Sequence, residues 1–328
     1  MARNAECAKD VFLMTVSDRS SLIIGASGFL GSYLSSECHA NGQRLCGISY
    51  TPPAHVDIWT KFAECDLHDV DFARFLDGDK LGTCYVLTGG SSVSDSMQEP
   101  ARDFQKLLPG LARLLEYLVR EQKDCHLVLF SSAAVYGNPV QNPISETSPI
   151  APLSPYGAHK WLAEEMVRRY SEIFGLRASI LRVFSAYGAG LKRQLFWDIL
   201  RKYHDALANG TKRMVLNGTG EETRDFIHGK DVARATFLVA QELPRAGHET
   251  YNIANGVSVS IRDAATELIN QLSEKVELSF SGVERAGDPM RWMANVEKLS
   301  ALGYQNSVTL EAGLADYVRW NSELNPMQ

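Results

Sequence analysis

The feature that most constrains the fold is the glycine-rich segment Gly25-Ala26-Ser27-Gly28-Phe29-Leu30-Gly31, which separates an apolar run from a helical pattern. Residues 21–24 predict a strand, and residues 29–41 predict a helix. Glycines permit a tight turn, and the first turn of a helix offers free N–H groups to a phosphate. The segment therefore predicts a strand–loop–helix unit that binds a dinucleotide pyrophosphate, and a tight turn without a ligand is the alternative.

Strands and helices alternate along the first half of the chain. Longer amphipathic patterns predict helices over residues 100–122 and 155–174. Short apolar runs predict further strands at residues 44–49, 83–88, 126–131 and 177–184. This alternation predicts an α/β fold with a Rossmann-type doubly wound parallel sheet, which binds ligands beyond the carboxyl ends of its strands.

The second half of the chain has a looser pattern. Short strands and helices mix after residue 184, which predicts a smaller mixed α/β lobe. The 328 residues suffice for two such lobes. We therefore expect an N-terminal extension at 1–19, a dinucleotide-binding domain at 20–185 and a substrate-binding lobe at 186–328, in which a segment at about 222–256 returns to the first domain.

Composition and charge argue against several classes of function. The formal net charge of −6 gives no general attraction to nucleic acid or to an anionic membrane surface. No apolar run approaches the ~20 residues that a bilayer span needs. The six cysteines form no CxxC pair, which predicts reduced thiols in a cytoplasmic protein. We therefore expect no nucleic acid or membrane partner and no metal.

A hydroxyl, a phenol and an ammonium group follow the glycine loop in an order that indicates proton transfer. Ser132 comes at the carboxyl edge of the predicted sheet, and Tyr156 and Lys160 share one face of the following helix. A free tyrosine titrates near pH ~10, and a nearby ammonium lowers the pKa of a phenol toward neutral pH. We therefore predict that Ser132, Tyr156 and Lys160 are catalytic.

The end of the second predicted strand leaves the type of dinucleotide open. A carboxylate there would hold the ribose hydroxyls of NAD, whereas an arginine would meet the 2′-phosphate of NADP. Ser49 occupies this position, and no Asp, Glu or Arg is adjacent to it. Asp66 follows the third strand. We expect its side chain to contact the adenine, and the alternative is that it caps the strand end or a helix.

Taken in order, the motifs GASGFLG, SSAAVYG and YGAHK resemble those of the extended short-chain dehydrogenase/reductases, within them the NAD-dependent epimerase/dehydratase family. The resemblance covers roughly residues 20–320. It implies a Rossmann domain, NAD as the cofactor with NADP as the alternative, and a nucleotide-diphosphate sugar as the substrate. It also implies a homodimer formed through the helices at 100–122 and 155–174.

The same resemblance assigns binding residues. For the cofactor it implies Gly25, Ser27, Gly28, Phe29, Leu30, Gly31, Ser49, Asp66, Leu67, Leu87, Thr88, Gly89, Ser131, Tyr156, Lys160 and Phe184. For the substrate it implies Ser92, Ser132, Ala133, Ser185, Lys192, Arg224, Arg285 and Asp288. Guanidinium groups fit phosphate oxygens, which suits Arg224 and Arg285 to a diphosphate. Lys192 and Arg193, just past Gly190, are both phosphate candidates, and a solvated helix start is the alternative.

The residues after the predicted catalytic hydroxyl bear on the reaction. Dehydratases of the family have an Asp-Glu pair there, whereas this chain has Ala133 and Ala134, and its SAAVYG stretch resembles the sugar 4-epimerases. That resemblance implies that Tyr156 takes the C4 hydroxyl proton while hydride passes to NAD, and that hydride returns to the other face of the 4-keto sugar. The alternatives are an NADPH-dependent 4-keto-6-deoxysugar reductase and a non-catalytic dinucleotide-binding sensor or scaffold.

Overall fold

A computed structural model describes residues 19–89, 92–242, 247–283 and 290–324. At its centre is a sheet made of β1 (Ser20–Ile24), β2 (Arg44–Ser49), β3 (Trp59–Glu64), β4 (Leu81–Val86), β5 (His126–Ser132), β6 (Arg177–Val183) and β11 (His248–Ile253). The seven strands are parallel, and their spatial order is β11-β6-β5-β4-β1-β2-β3. β1 is buried along its whole length, as expected for a parallel strand that is covered on both faces.

Helices cover both faces of this sheet. In chain order the helices are α1 (Phe29–Ala40), α2 (Phe72–Leu76), α3 (Val93–Gln98), α4 (Pro100–Gln105), α5 (Leu108–Glu121), α6 (Pro155–Phe174), α7 (Gln194–Ala208), α8 (Gly229–Gln241), α9 (Ile261–Asn270), α10 (Glu297–Ser300) and α11 (Leu310–Leu324). Leu34 of α1 and Val232 of α8 belong to the core on one face, while Leu114 of α5 and Val167 of α6 belong to the core on the other. The predicted doubly wound Rossmann-type fold is confirmed.

A smaller lobe follows β6. Its strands are β7 (Ser185–Tyr187), β8 (Arg213–Leu216), β9 (Thr223–Arg224), β10 (Phe226–His228), β12 (Val259–Ser260) and β13 (Glu277–Phe280), which form three two-stranded sheets. Phe196 of α7, Leu268 of α9 and Leu314 of α11 share one core in this lobe. Between these segments the chain returns to the central sheet, because α8 packs against α1 and β11 pairs with β6.

The helix predicted over residues 100–122 is two helices, and that prediction was wrong. α4 ends at Gln105 and α5 begins at Leu108, and Leu107 between them has φ −122° and ψ −59°. Pro109 lies in the first turn of α5. Proline lacks an N–H group, and its ring clashes with the carbonyl four residues earlier, so one helix cannot continue through this position.

The apolar face of this region is part of the subunit's own core. Six leucines have at most 5% of their surface exposed: Leu107, Leu108, Leu111, Leu114, Leu115 and Leu118. They belong to the core between the helices and the sheet. Their pattern is therefore explained without a partner subunit, and the homodimer stays a prediction from the family resemblance.

Neither a membrane-spanning helix nor a cluster of metal ligands occurs in the described residues. In the ranges given above, every helix is too short or too polar to cross a bilayer. The same part of the chain contains no group of three or more His, Cys, Asp or Glu side chains arranged to hold a metal ion.

A buried carboxylate joins α6 to two strands of the sheet. Glu164 of α6 is fully buried and accepts N–H···O bonds from Arg182 of β6 at 3.0 and 2.7 Å. It also accepts the Ser131 hydroxyl of β5 at 2.5 Å and an N–H group of Arg168 at 2.8 Å. Arg182 in turn donates to the Tyr136 hydroxyl at 3.0 Å. This network fixes the helix against the carboxyl ends of β5 and β6.

We expect Arg182→Met to destabilise the protein by about 3–5 kcal/mol, because it removes one partner of a buried ion pair and leaves Glu164 incompletely compensated. Urea unfolding at pH 7 measures the change. Arg201→Met is the matched control, since Arg201 pairs with Asp198 on the exposed face of α7. Such a pair contributes at most about 1 kcal/mol. Equal stabilities of the two variants would contradict this role of Arg182.

Candidate active site

The loop after β1 is a cradle of glycine backbone. Gly25 has a φ of +87°, and a Cβ there would lie 3.2 Å from backbone atoms of Leu87 and Thr88. A Cβ on Gly31 would lie 2.1 Å from the carbonyl oxygen of Gly25, so only glycine lets α1 begin this close to the loop. Gly28 caps α1 without a side-chain hydrogen bond. The first N–H groups of the helix are therefore left for an anionic ligand.

Three hydroxyl groups lie together at the end of β2. The Ser27 hydroxyl donates to Ser49 Oγ at 2.6 Å and lies 2.8 Å from the Thr51 hydroxyl. The backbone N–H of Ser27 also donates to Ser49 Oγ at 3.4 Å. The loop is thus held to the strand end by neutral groups, at the position where a carboxylate or a guanidinium would select a dinucleotide.

Asp66 acts as a cap for a short 3-10 turn. Its carboxylate accepts the backbone N–H of His68 at 3.2 Å at the start of the turn Leu67–Asp69. The Tyr50 hydroxyl donates to the same carboxylate. This is the capping role that the sequence left open as the alternative to an adenine contact.

Ser132 and Tyr156 meet at the carboxyl end of β5. Ser132 is the last residue of that strand, and its hydroxyl accepts the backbone N–H of Ala134 at 3.2 Å. α6 begins beside it, where Ser154 caps the helix by accepting the N–H of Gly157 at 3.2 Å. The Tyr156 phenol lies near enough to Ser132 for the serine hydroxyl to act on the pKa of the phenol. The first turn of α6 therefore delivers the phenol to the strand end.

Lys160 lies one turn further along α6 and is 5% exposed. Its Nζ donates to the carbonyl of Phe130 at 3.0 Å and to that of Thr88 at 3.5 Å. The same atom lies 5.9 Å from the centroid of the Tyr156 ring. Burial lowers the pKa of Lys160 to about 8. An ammonium has three donors, so one remains for a ligand in the cavity.

The pKa of Tyr156 differs in direction from the sequence-based expectation. We expected Lys160 to lower it, but burial raises the pKa of the phenol above its usual value, and the charge of Asp103 adds to that increase. The hydrogen bond with Ser132 and the charge of Arg193 act in the opposite direction. Both of these groups therefore favour the phenolate.

The predicted residues open onto a cavity of about 1130 Å³ at the carboxyl edge of the sheet. Those that line it are Gly25, Gly28, Phe29, Leu30, Gly31, Ser49, Leu87, Thr88, Gly89, Ser92, Ser131, Ser132, Tyr156, Lys160, Phe184, Ser185 and Arg224. The structure thus brings the glycine loop, the predicted catalytic residues and part of the C-terminal lobe to one site. Arg285 and Asp288 lie outside the described residues.

Five predicted site residues do not line the cavity. Ser27 and Asp66 make the hydrogen bonds given above, and Leu67 is 3% exposed within the core. Ala133 is fully buried, and the neighbouring Ala134 reaches the cavity wall instead. Lys192 is exposed, and of these two neighbouring cations it is Arg193 that lines the cavity.

The C-terminal lobe and α3 contribute further side chains to the wall. Arg224 stacks over the Trp292 ring at 5.6 Å, and the Trp292 indole N–H donates to the carbonyl of Gly137 at 3.1 Å. Sequence reasoning missed Trp292 as well as Met97 and Gln98 of α3. None of the three belongs to a motif that would have indicated the site.

Comparisons with known proteins give one consistent picture. The family model described as "NAD dependent epimerase/dehydratase family" matches residues 21–254. A UDP-glucose 4-epimerase of Lacticaseibacillus casei is 30% identical over 84% of this chain and 88% of its own length. A UDP-glucose 4-epimerase of Mycolicibacterium smegmatis is 28% identical over 91% and 97%. MoeE5, solved in complex with UDP-glucuronic acid and NAD, is 27% identical with a TM-score of 0.82, over 93% of this chain and 99% of that one.

We expect Gly31→Ala to weaken dinucleotide binding by more than about tenfold and to destabilise the fold by about 1–3 kcal/mol, because the new Cβ must displace backbone in the cradle. Calorimetric titration with NAD and thermal unfolding measure the two effects. Gly82→Ala in β4 is the control, since the nearest atom to its Cβ would be 3.4 Å away. Unchanged NAD affinity in the Gly31 variant would contradict a tight cradle.

The lowered pKa of Lys160 predicts a pH dependence of stability. The folded protein releases this proton near pH 8 and the unfolded chain near pH 10.5, so the unfolded state binds more protons between these values and stability rises with pH. Relative to Lys160→Met, the wild type should gain roughly 2–3 kcal/mol of unfolding free energy between pH 7 and pH 10. Urea unfolding of both proteins measures the difference. A difference that does not change with pH would contradict the buried charge.

Proposed function

The chain belongs to the NAD-dependent epimerase/dehydratase family, and on that premise we propose that it is a nucleotide-sugar 4-epimerase that acts on a UDP-hexose with NAD held in place. The observation that carries the proposal is the convergence of Ser132, Tyr156 and Lys160 on one cavity that also contains the glycine cradle. A tight βα turn alone would need no phenol and no buried ammonium at this point.

The residues present fit a nicotinamide dinucleotide. Any Cβ would fill the cradle at Gly25 and Gly31, and the start of α1 carries N–H groups without a side-chain cap. Thr88 Oγ1 is buried at the same edge and has no hydrogen-bond partner among the described residues. The cradle would hold the pyrophosphate, Ser49 would face the adenosine ribose, and Lys160 would face the nicotinamide ribose.

Bound NAD would supply a hydride acceptor and donor at the sugar's C4 position. The chain's own part is proton transfer at the C4 oxygen. Tyr156 would take the proton as phenolate and give it back as phenol, and Ser132 would hold the same oxygen by a hydrogen bond. The Ser132 hydrogen bond and the Arg193 charge favour the phenolate, which is the form that accepts the proton.

Few other side chains of the described cavity wall could act as acid or base. Its carboxylates are Asp198 and Glu222. Asp198 pairs with an arginine and a lysine of its own helix, and Glu222 accepts two backbone N–H groups of the preceding turn at 2.9 and 2.8 Å. Ala133 and Ala134 follow Ser132 without any ionisable group. The site therefore supports Tyr156 as the proton-transfer residue and argues against elimination of water.

The substrate side of the cavity supports a diphosphate with an attached base and sugar. Arg224 over Trp292 places a cation and an aromatic face together in the C-terminal lobe, and Arg193 and Ser185 also line that wall. Guanidinium groups bind phosphate oxygens, and indoles stack on bases. The cavity of about 1130 Å³ exceeds the space that one drug-sized ligand needs. UDP as the nucleotide follows from the names of the relatives.

A second candidate function rests on Ser49. The end of β2 carries hydroxyl groups rather than a carboxylate. A negative charge on that strand end therefore does not repel the 2′-phosphate of NADP. An NADPH-dependent 4-keto-6-deoxysugar reductase would use the same Ser132, Tyr156 and Lys160 in one direction. The identity of the dinucleotide that purifies with the protein separates the two functions.

We expect Tyr156→Phe to lower the rate of UDP-glucose/UDP-galactose interconversion by about 10²–10⁴-fold, because it removes the proton-transfer group. Wild type and variant should both release stoichiometric NAD on denaturation, identified by mass spectrometry. Tyr170→Phe, which removes a phenol from the same helix away from the cavity, should keep full activity. Released NADP, or an empty site together with reduction of 4-keto sugars by NADPH, would replace the epimerase with the reductase.

A further inference from the structure

A buried carboxylate in the smaller lobe holds several segments of the chain together. Asp225 lies between β9 and β10 and is fully buried. Its Oδ1 accepts the backbone N–H of Asn255 at 2.9 Å, and its Oδ2 accepts those of Gly256 at 2.9 Å and Ala294 at 3.1 Å. Its backbone carbonyl accepts the N–H of Ser185 at 3.0 Å. Asp225 does not line the cavity, and the role proposed above for the site does not use it.

Two of these segments are the places where the chain passes from the central sheet to the smaller lobe. Residues 254–257 connect β11 of the central sheet to β12 of the smaller lobe. Ser185 begins β7 shortly after β6 ends. The Asn255 side chain also donates to the carbonyl of Phe226 in β10 at 2.8 Å. Both passages are therefore attached to the turn between β9 and β10, which contains Asp225.

The third segment, residues 290–295, carries part of the cavity wall. The backbone N–H of Trp292 donates to the carbonyl of Thr223 in β9 at 3.2 Å. Two residues further along, the N–H of Ala294 donates to the Asp225 carboxylate instead of a backbone carbonyl. Alternate N–H groups thus attach this segment to β9 and to the residue that follows it. The second of these attachments depends on a side chain and can be changed by mutation.

We propose that Asp225 is a positioning residue for the nucleotide diphosphate, because it fixes Arg224 and Trp292 relative to each other without contacting the ligand. Arg224 directly precedes Asp225, and its guanidinium stacks over the Trp292 ring at 5.6 Å. Both side chains line the cavity, whereas Asp225, Asn255 and Ala294 do not. The inference rests on the proposed function in one respect, namely that this wall of the cavity binds the nucleotide diphosphate.

A carboxylate suits this position because the groups that face it are backbone N–H donors. Burial raises the pKa of Asp225 to about 6, so the side chain is ionised at pH 8. An ionised carboxyl group accepts hydrogen bonds at both oxygens, and such bonds are stronger than those between neutral groups. An asparagine has one oxygen and would turn its NH₂ group toward at least one of the N–H donors. That donor would lose its partner, and the segment that carries it would shift.

The test is the affinity of Asp225→Asn for UDP at pH 8, measured by calorimetry on protein saturated with NAD. The dissociation constant for UDP should rise about tenfold, because the cavity wall loses a hydrogen bond to a charged group. The dissociation constant for NAD should stay unchanged, since the hydrogen bonds of Asp225 given above do not involve the glycine loop. An unchanged affinity for UDP, or an equal loss of affinity for NAD, overturns the proposal.

Asp231→Asn is the matched control. Asp231 is also fully buried and accepts the backbone N–H groups of Ser307 and Val308 at 3.0 Å, but none of these three residues lines the cavity. Both variants should unfold at a lower temperature than wild type, and only Asp225→Asn should bind UDP more weakly. An equal loss of UDP affinity in Asp231→Asn would show a merely structural role of Asp225.

Turnover separates this inference from the proposed function. In Asp225→Asn the KM for UDP-glucose should rise about tenfold while kcat stays close to that of wild type, because the proton-transfer residues are untouched. A fall in kcat with an unchanged KM overturns the proposal. Weaker UDP binding by the variant of a protein that has no epimerase activity supports the role of Asp225 and refutes the proposed function instead.

Hydrogen exchange of the wild type gives the answer if Asp225→Asn does not fold. Exchange of NAD-saturated protein is followed by mass spectrometry with and without UDP at about ten times its dissociation constant. UDP should slow exchange about tenfold in residues 290–295 and also in residues 254–257, which do not line the cavity, and should leave residues 307–308 unchanged. Unchanged exchange in residues 254–257 overturns the proposal.

Discussion

The position of α6 depends on one buried carboxylate. Glu164 receives hydrogen bonds from Arg182 on β6, from Arg168 on its own helix and from the Ser131 hydroxyl on β5. A charged carboxylate cannot remain in an apolar layer without such partners, so α6 cannot rotate or slide against the sheet without losing them. Tyr156 is on the same helix. The register that Glu164 fixes is therefore also the register that places the phenol beside Ser132.

Burial acts in opposite senses on the two ionisable groups of the candidate site. It raises the pKa of Tyr156 and lowers that of Lys160, which means that the neutral form of each group is favoured. The charges that surround the pair then decide how far each group departs from neutrality. Asp103 lies on the side of α4, whereas Arg193 comes from the C-terminal lobe. The two lobes thus contribute charges of opposite sign to one proton-transfer site.

The sequence was sufficient for the local features of the site. The spacing of Gly25 and Gly31 predicts the strand–loop–helix unit because the close approach of Gly31 to the Gly25 carbonyl, which requires glycine, lies within seven residues. The four-residue spacing of Tyr156 and Lys160 likewise predicts a shared helix face. Pro109 was available in the sequence as a signal against one long helix at 100–122.

Features that depend on tertiary contacts could not be predicted in the same way. Asp103 and His159 are 56 residues apart, and the sequence around each residue gives no indication that the two side chains form a hydrogen bond. The choice between Lys192 and Arg193 as the cavity residue depends on how the chain enters α7. The direction of the Tyr156 pKa shift depends on burial, which a sequence motif does not specify.

The late position of β11 in the chain has a consequence for synthesis. Residues 248–253 form the strand that covers β6, and α7, β8 and α8 lie between these two strands in sequence. A nascent chain that has just left the ribosome with its first 185 residues would present β6 as a bare sheet edge, with a row of unpaired backbone groups. Such an edge is a template for pairing with another chain. The central sheet can close only after the polypeptide has been translated past residue 253, and the core of the smaller lobe is completed later still, because it includes Leu268 of α9 and Leu314 of α11.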